Sequence, residues 1–165
     1  MSRSGKPLIK ATLRFIYKME DALLVSALVS MLVMAVIQIS LRNFFDVGLF
    51  WAESFLRILV LWIAILGAMV ATRESNHISI DILSRYLGGT QQKIIFLVTQ
   101  AFSAVICGVV AYYAVIFVQF EYEDKTIAFA DVPTWICQSI IPFGFLVMSI
   151  RFLGNGLASL SGNRS

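Results

Sequence analysis

The stretch FWAESFLRILVLW, residues 50–62, sets two ionisable side chains, Glu53 and Arg57, in an otherwise apolar run. Residues four apart share a helical face about one turn apart. Three roles suit such a pair: an ion- or proton-exchanging carboxylate, an ion pair that offsets its own cost in lipid, or polar groups that fasten one membrane helix to another. The remaining chemistry is sparse. His77 is the only histidine, and beside Ser75 and Asn76 it reads as a cap, surface or partner-contact residue. Cys107 and Cys137 lie in different apolar runs without a CxxC, the pattern of small buried residues. No His, Cys or carboxylate cluster has metal-ligand spacing, and no GxSxG, Walker or HExxH motif occurs. We therefore expect no catalytic residue, cofactor or metal, and a protein that is not an enzyme.

The elements that must carry the pair follow from composition. Of 165 residues, 59% are hydrophobic and 14% charged, and mean hydropathy is +0.83. A soluble domain has about 25% charged residues, so this chain cannot cover itself with polar surface and belongs in a membrane. Its net charge of +3 gives no reason to expect nucleic acid. A hydrocarbon core of about 30 Å takes about 20 apolar residues as helix. Four stretches qualify: 22–41, 50–72, 94–118 and 132–153. Membrane strands are shorter and alternate in polarity, and only a helix or closed barrel satisfies its backbone in lipid. The expected fold is an all-α membrane protein: one four-span domain over residues 1–165.

Orientation follows the Lys/Arg bias. Arg3, Lys6, Lys10, Arg14 and Lys18 precede the first span; Arg73, Arg85 and Lys93 lie between spans two and three; Arg151 and Arg164 follow the fourth. The opposite side has Arg42 and Lys125 alone. Both termini are thus expected in the cytoplasm, with the basic N-terminal segment a retained one and not a cleaved leader. Trp51 and Trp135 then fall at the outer interface, where an aromatic belt is expected.

The connectors add detail. Residues 6–20 carry Leu8, Ile9, Leu13, Ile16 and Tyr17 near helical spacing, with Lys10, Arg14 and Lys18 elsewhere; they suit either an amphipathic helix in the inner headgroup layer or a plain basic tail. Residues 76–87 suit a second interfacial helix, capped by Asn76, braced by Asp81 and Arg85, and ended by Gly88-Gly89. The alternation at 78–82 also allows a short strand, which would leave unpaired edges. The outer connector holds Glu121, Glu123, Asp124 and Asp131 against Lys125. It is either a solvated loop or a docking surface for a soluble partner. Asp131 is positioned to cap span four with Pro133 in its first turn, and Pro142 should kink that span.

On these boundaries Glu53 lies near the outer surface and Arg57 about 6 Å deeper. An isolated charge at mid-membrane costs roughly 2.5–3.5 kcal/mol on insertion scales; pairing and a position near the span end both lessen that. Trp62 lies deeper, and Leu66-Gly67-Ala68-Met69-Val70-Ala71 supplies small residues that let a helix approach. A helix–helix seam containing Glu53, Arg57 and Trp62 is expected, either within the chain or against another.

The ordered set Trp51, Glu53, Arg57, Trp62, Leu66-Gly67-Ala68, Arg73 and His77-Ile78-Ser79-Ile80-Asp81 resembles the signature of the small membrane subunit, DctQ-type or Q, of tripartite ATP-independent periplasmic (TRAP) transporters. The resemblance implies a bacterial inner-membrane protein paired with a large multi-span M subunit that carries the substrate and sodium sites. It also implies a periplasmic binding protein that delivers an organic acid of the dicarboxylate or sialic acid type. The small subunit would be a non-transporting scaffold, with Trp51, Glu53, Arg57, Trp62, Gly67, Arg73, His77 and Asp81 as interface or structural residues. Glu121, Glu123 and Asp124 would help dock the binding protein. Where some members carry a second acidic residue after the first, this chain has Ser54.

Two other functions remain open on the residues. A stand-alone dimeric four-helix transporter would use Glu53 as a proton- or cation-coupled site, although Arg57 one turn away favours the carboxylate anion and proton exchange needs the reverse. A membrane redox protein would use Cys107 and Cys137, which lie in spans of opposite direction.

Overall fold

The computed structural model describes residues 5–45, 48–84, 89–129 and 131–160, with side chains for 14–45, 48, 49, 51–73, 91, 93–129 and 131–159. The elements in order are α1 (Gly5–Phe45), α2 (Phe50–Ser84), α3 (Gly89–Asp124), β1 (Ile127–Phe129), β2 (Val132–Pro133), α4 (Thr134–Gln138) and α5 (Ile140–Leu160). Four helical stretches are long and apolar enough to cross a membrane: Arg14–Phe45, Trp51–Arg73, Lys93–Asp124 and Thr134–Ser159. Each overlaps one of the expected spans, with different ends. The chain divides into two compact units, 1–70 and 71–165, with the boundary inside α2.

In the first unit, α1 runs unbroken for 41 residues, about 60 Å at the helical rise. That is twice the hydrocarbon thickness, so residues 6–20 form the N-terminal part of the span's own helix. The segment 14–45 buries Ala27 and Glu20 but exposes Leu23, Val25, Leu28, Leu32, Val36 and Ile39. In a membrane such side chains meet lipid tails or another protein without penalty.

Helix α2 is likewise longer than its span. Residues 76–84 continue it, so Asn76 starts no new helix and 78–82 form no strand. The linking residues Arg73-Glu74-Ser75-Asn76 contain neither Pro nor Gly, and an uninterrupted helix satisfies their N–H groups without a cap. Of the expected 76–87 helix, residues 85–87 lie outside the described residues, as does Gly88, while Gly89 opens α3.

In the second unit α3 packs along α5. A Cβ added at Gly156 would lie 3.6 Å from Gln100 Cβ, and one at Gly108 3.5 Å from Ser149 Oγ; rising numbers on α3 meet falling numbers on α5, so the two run antiparallel. Ala104, Ala111 and Ala114 on α3 and Met148 on α5 are buried. Small residues let the backbones approach, the usual basis of packing where lipid removes the hydrophobic drive between helices. The Ser149 hydroxyl donates to the Ala104 carbonyl oxygen at 2.9 Å. Elsewhere hydroxyls turn back on their own helices, Ser26 to Leu23 O and Thr99 to Ile95 O, both at 2.9 Å.

The fourth span is divided at Ser139 into α4 and α5. Pro142 has no N–H to give to the carbonyl of Gln138 four residues back, which ends α4 there. Ser139 keeps helical angles (φ −58°, ψ −19°), and its N–H still reaches Trp135 O at 3.0 Å. The expected kink is therefore a local interruption. The expected cap does not form: Pro133 is the N-cap of α4 and makes no side-chain cap bond, while Asp131, at φ 63°, sits in the turn before β2. The first-turn donor of α4 is satisfied across the connector instead. The Thr134 N–H and hydroxyl both donate to Thr126 O, at 3.0 and 3.1 Å. Strands β1 and β2 pair antiparallel, Ile127 opposite Pro133 and Phe129 opposite Val132.

Candidate functional site

The first turn of α2 is closed by the Ala52 N–H donating to Leu49 O at 3.1 Å. Glu53 lies in that turn, where the positive end of the helix dipole favours a carboxylate. Arg57 Nη2 donates to Glu53 Oε1 at 2.8 Å, and the two side chains are 76% and 69% exposed, Arg57 and Glu53 respectively. They pair with each other and stand exposed on the first unit.

The rest of α2 sorts by helical angle. At 100° per residue, Glu53, Arg57, Val60, Ala64, Gly67 and Ala71 fall on one stripe, spaced alternately by four and three residues. Glu53, Arg57, Val60, Ala64 and Ala71 are exposed and Gly67 half-buried; a Cβ added at Gly67 would meet nothing within 4 Å. The opposite stripe holds the buried Leu66 and Met69 with the half-buried Trp62 and Arg73. At its N-terminal end Trp51 meets Phe55 edge-on, ring centres 6.2 Å apart. The signature residues therefore divide between two stripes: the half-buried Trp62 and Arg73 on one, with Trp51 exposed at its N-terminal end, and Glu53, Arg57 and Gly67 on the other. Trp62 does not share a face with the ion pair. His77 and Asp81 ride on the extension of α2, and their side chains lie outside the described ones.

The acidic connector is less of a loop than its composition indicates. Helix α3 continues to Asp124, so Glu121, Glu123 and Asp124 occupy its last turn. Carboxylates are disfavoured at this negative end of the dipole. Lys125 ends the helix in the left-handed conformation, φ 49°, more usual for Gly. The Thr126 hydroxyl donates to Glu121 Oε2 at 2.5 Å, so Glu121 is held while Glu123 and Asp124 are exposed. Sequence reasoning missed that Tyr122 packs edge-on against Trp135, ring centres 5.5 Å apart. The twelve residues between them gave no sign of it, because the intervening hairpin makes the contact. Cys107 and Cys137 are not joined in a disulfide.

Four helices long and apolar enough to cross a membrane define a multi-pass membrane protein. The profile of the DctQ component of tripartite ATP-independent periplasmic transporters matches residues 31–161, and the chain belongs to that family. The family is one of transporters and not of enzymes. The chain is 30% identical over 108 residues to the C4-dicarboxylate TRAP transporter small permease protein DctQ of Rhodobacter capsulatus, a match covering 65% of this chain and 48% of that one. It is 27% identical over 163 residues to a protein of Haemophilus influenzae assigned as a TRAP transporter small permease, covering 90% and 98%. The chain thus spans about half the length of the first relative and nearly all of the second.

Proposed function

We propose that this chain is the non-transporting small subunit of a TRAP transporter. It anchors the large multi-span M subunit through the outward stripe of α2. It also contributes the acidic end of α3 to docking of the periplasmic binding protein. The complex would take up an organic acid, dicarboxylate or sialic acid in type, coupled to sodium, with the coupling and substrate sites outside this chain.

One observation carries the reading: the Glu53–Arg57 pair, exposed at a depth where lipid would otherwise surround it. Ionisable groups in spans face protein or water, and a partner helix supplies that environment. The small residues below the pair, Ala64, Gly67 and Ala71, support a close approach, and the alternating four–three spacing suits knobs-into-holes packing. On the opposite stripe Trp62 and Arg73 are half-buried, while Trp51 stays exposed at the N-terminal end of the span, where an aromatic ring suits the membrane interface. His77 and Asp81 extend it on the cytoplasmic side, where a longer rigid element resists tilting as the partner moves.

Two measurements test this. The chain co-expressed with the large subunit should co-purify with it, and Glu53→Gln or Arg57→Leu should lower recovery. The chain reconstituted alone should carry out no sodium-driven uptake of organic acid; uptake by the lone chain, abolished by Glu53→Gln, would establish the stand-alone transporter instead. For the acidic end, Glu123→Lys with Asp124→Lys should weaken docking of the soluble binding protein, more at low salt than at high. Equal affinity at both ionic strengths would remove that role.

A further inference from the structure

The end of α3, the β1–β2 hairpin and α4 enclose an open cavity of about 270 Å³. Its walls combine three kinds of group. Tyr122 and Trp135, packed edge to face, supply aromatic surface. Ile127 and Pro133 supply apolar surface, with Ile127 largely exposed. Glu123 and Lys125 line it with one charge of each sign. These two are close in sequence yet form no ion pair with one another or with any other described residue. Glu121, one turn before Lys125, is already bonded to Thr126.

We propose that this cavity holds the headgroup of a zwitterionic phospholipid of the outer leaflet, of the phosphatidylethanolamine type. The phosphate faces Lys125, and the ammonium faces Glu123 and the Tyr122–Trp135 surface, where cation–π attraction adds to the ion pair. The apolar edge at Ile127 meets the glycerol and upper acyl region. Depth agrees: Tyr and Trp at span ends sit at headgroup level, and the cavity lies where the apolar stretches of α3 and α4–α5 end. Charge selects among occupants. An anionic headgroup or a free organic acid would satisfy Lys125 and oppose Glu123. A cationic side chain entering the cavity would satisfy Glu123 and oppose Lys125, whereas one docking at the end of α3 meets Asp124 outside the cavity walls. A zwitterion satisfies both.

The inference goes beyond the subunit role and is tested without any partner. The full chain in mild detergent is mixed with equimolar phosphatidylethanolamine and phosphatidylglycerol of identical acyl chains, and retained lipid is read by native mass spectrometry. We expect one ethanolamine lipid retained in about fivefold excess, the size of an exposed cation–π contact with a modest ion pair. Glu123→Gln should reverse the preference toward the glycerol lipid, because Lys125 alone favours an anion. Lys125→Ala should lower retention of both. Equal retention by the unaltered chain would overturn the proposal, and this comparison needs no variant to fold. A preference unchanged in the Glu123→Gln, Lys125→Ala double variant, with helicity intact by circular dichroism, would also overturn it. In a parallel arm a short Lys-rich peptide is titrated; if Glu123→Gln weakens the peptide and leaves the lipid ratio untouched, the cavity is a protein-docking site and the lipid assignment fails.

Discussion

Along the α3–α5 seam, Ala104, Gly108 and Ala111 admit a neighbouring helix, and the Ser149 hydroxyl closes on the Ala104 carbonyl. Along the outward stripe of α2, Ala64, Gly67 and Ala71 are similar in size, and a polar pair sits above them. The residue types are alike and the outcomes opposite. In the seam a side chain added at glycine meets another helix; at Gly67 it meets open space. The seam holds one unit of this chain together. The stripe offers the same means of close approach to a second protein. Residue size and polarity thus make a helix face capable of packing, and only the surroundings say whether the packing is internal.

Substitutions that fill each face separate the two. Gly108→Leu should destabilise the isolated chain by about 1–3 kcal/mol, the usual cost of overpacking, read by denaturant or thermal unfolding in detergent. Gly108→Ala, whose methyl would make an ordinary 3.5 Å contact, should be nearly neutral. A tolerated leucine would break the comparison from the seam side.

Gly67→Leu should do the reverse. The isolated chain should keep its stability, and assembly with the large subunit should weaken about tenfold, or about 1.4 kcal/mol, in quantitative co-purification. Unchanged assembly with a folded chain would break the comparison from the α2 side. Removing Arg57 while keeping bulk, as Arg57→Leu, should leave the isolated helix intact and weaken assembly by about 1 kcal/mol. An exposed pair contributes about that or less to the chain's own stability. A larger loss of chain stability than of assembly would mean that the pair acts within the chain.

The smallest effect sharpens the seam. Ser149→Ala removes one interhelical hydrogen bond, which in membranes averages about 0.6 kcal/mol, and unfolding of the isolated chain should fall by about that much. Assembly should not change.

Four spans and their order were legible in the sequence, because apolar length is a property of local segments. The interruption of the fourth span was legible too, since Pro142 lacks its N–H wherever the chain folds. Element boundaries were less so. Residues 76–84 joined α2, and Glu121, Glu123 and Asp124 joined α3, because nothing in those links costs a helix more than a loop. Asp131 has a capping side chain, yet the pairing of β1 with β2 put it in a turn and left the first donor of α4 to Thr126.

By itself the sequence determined that Glu53 and Arg57 would meet, because four residues on a helix fix that distance whatever lies around it. It also determined, through Gly67 and its neighbours, that a helix can come close. Only the tertiary structure decided the direction of each face. Trp62 and Arg73 are half-buried on the stripe of the buried Leu66 and Met69, while Glu53 and Arg57 stand exposed on the stripe of Gly67. In a soluble protein polarity would have announced that difference, since water selects the charged face. In lipid both faces of α2 are mostly apolar, and packing alone distinguishes inside from outside.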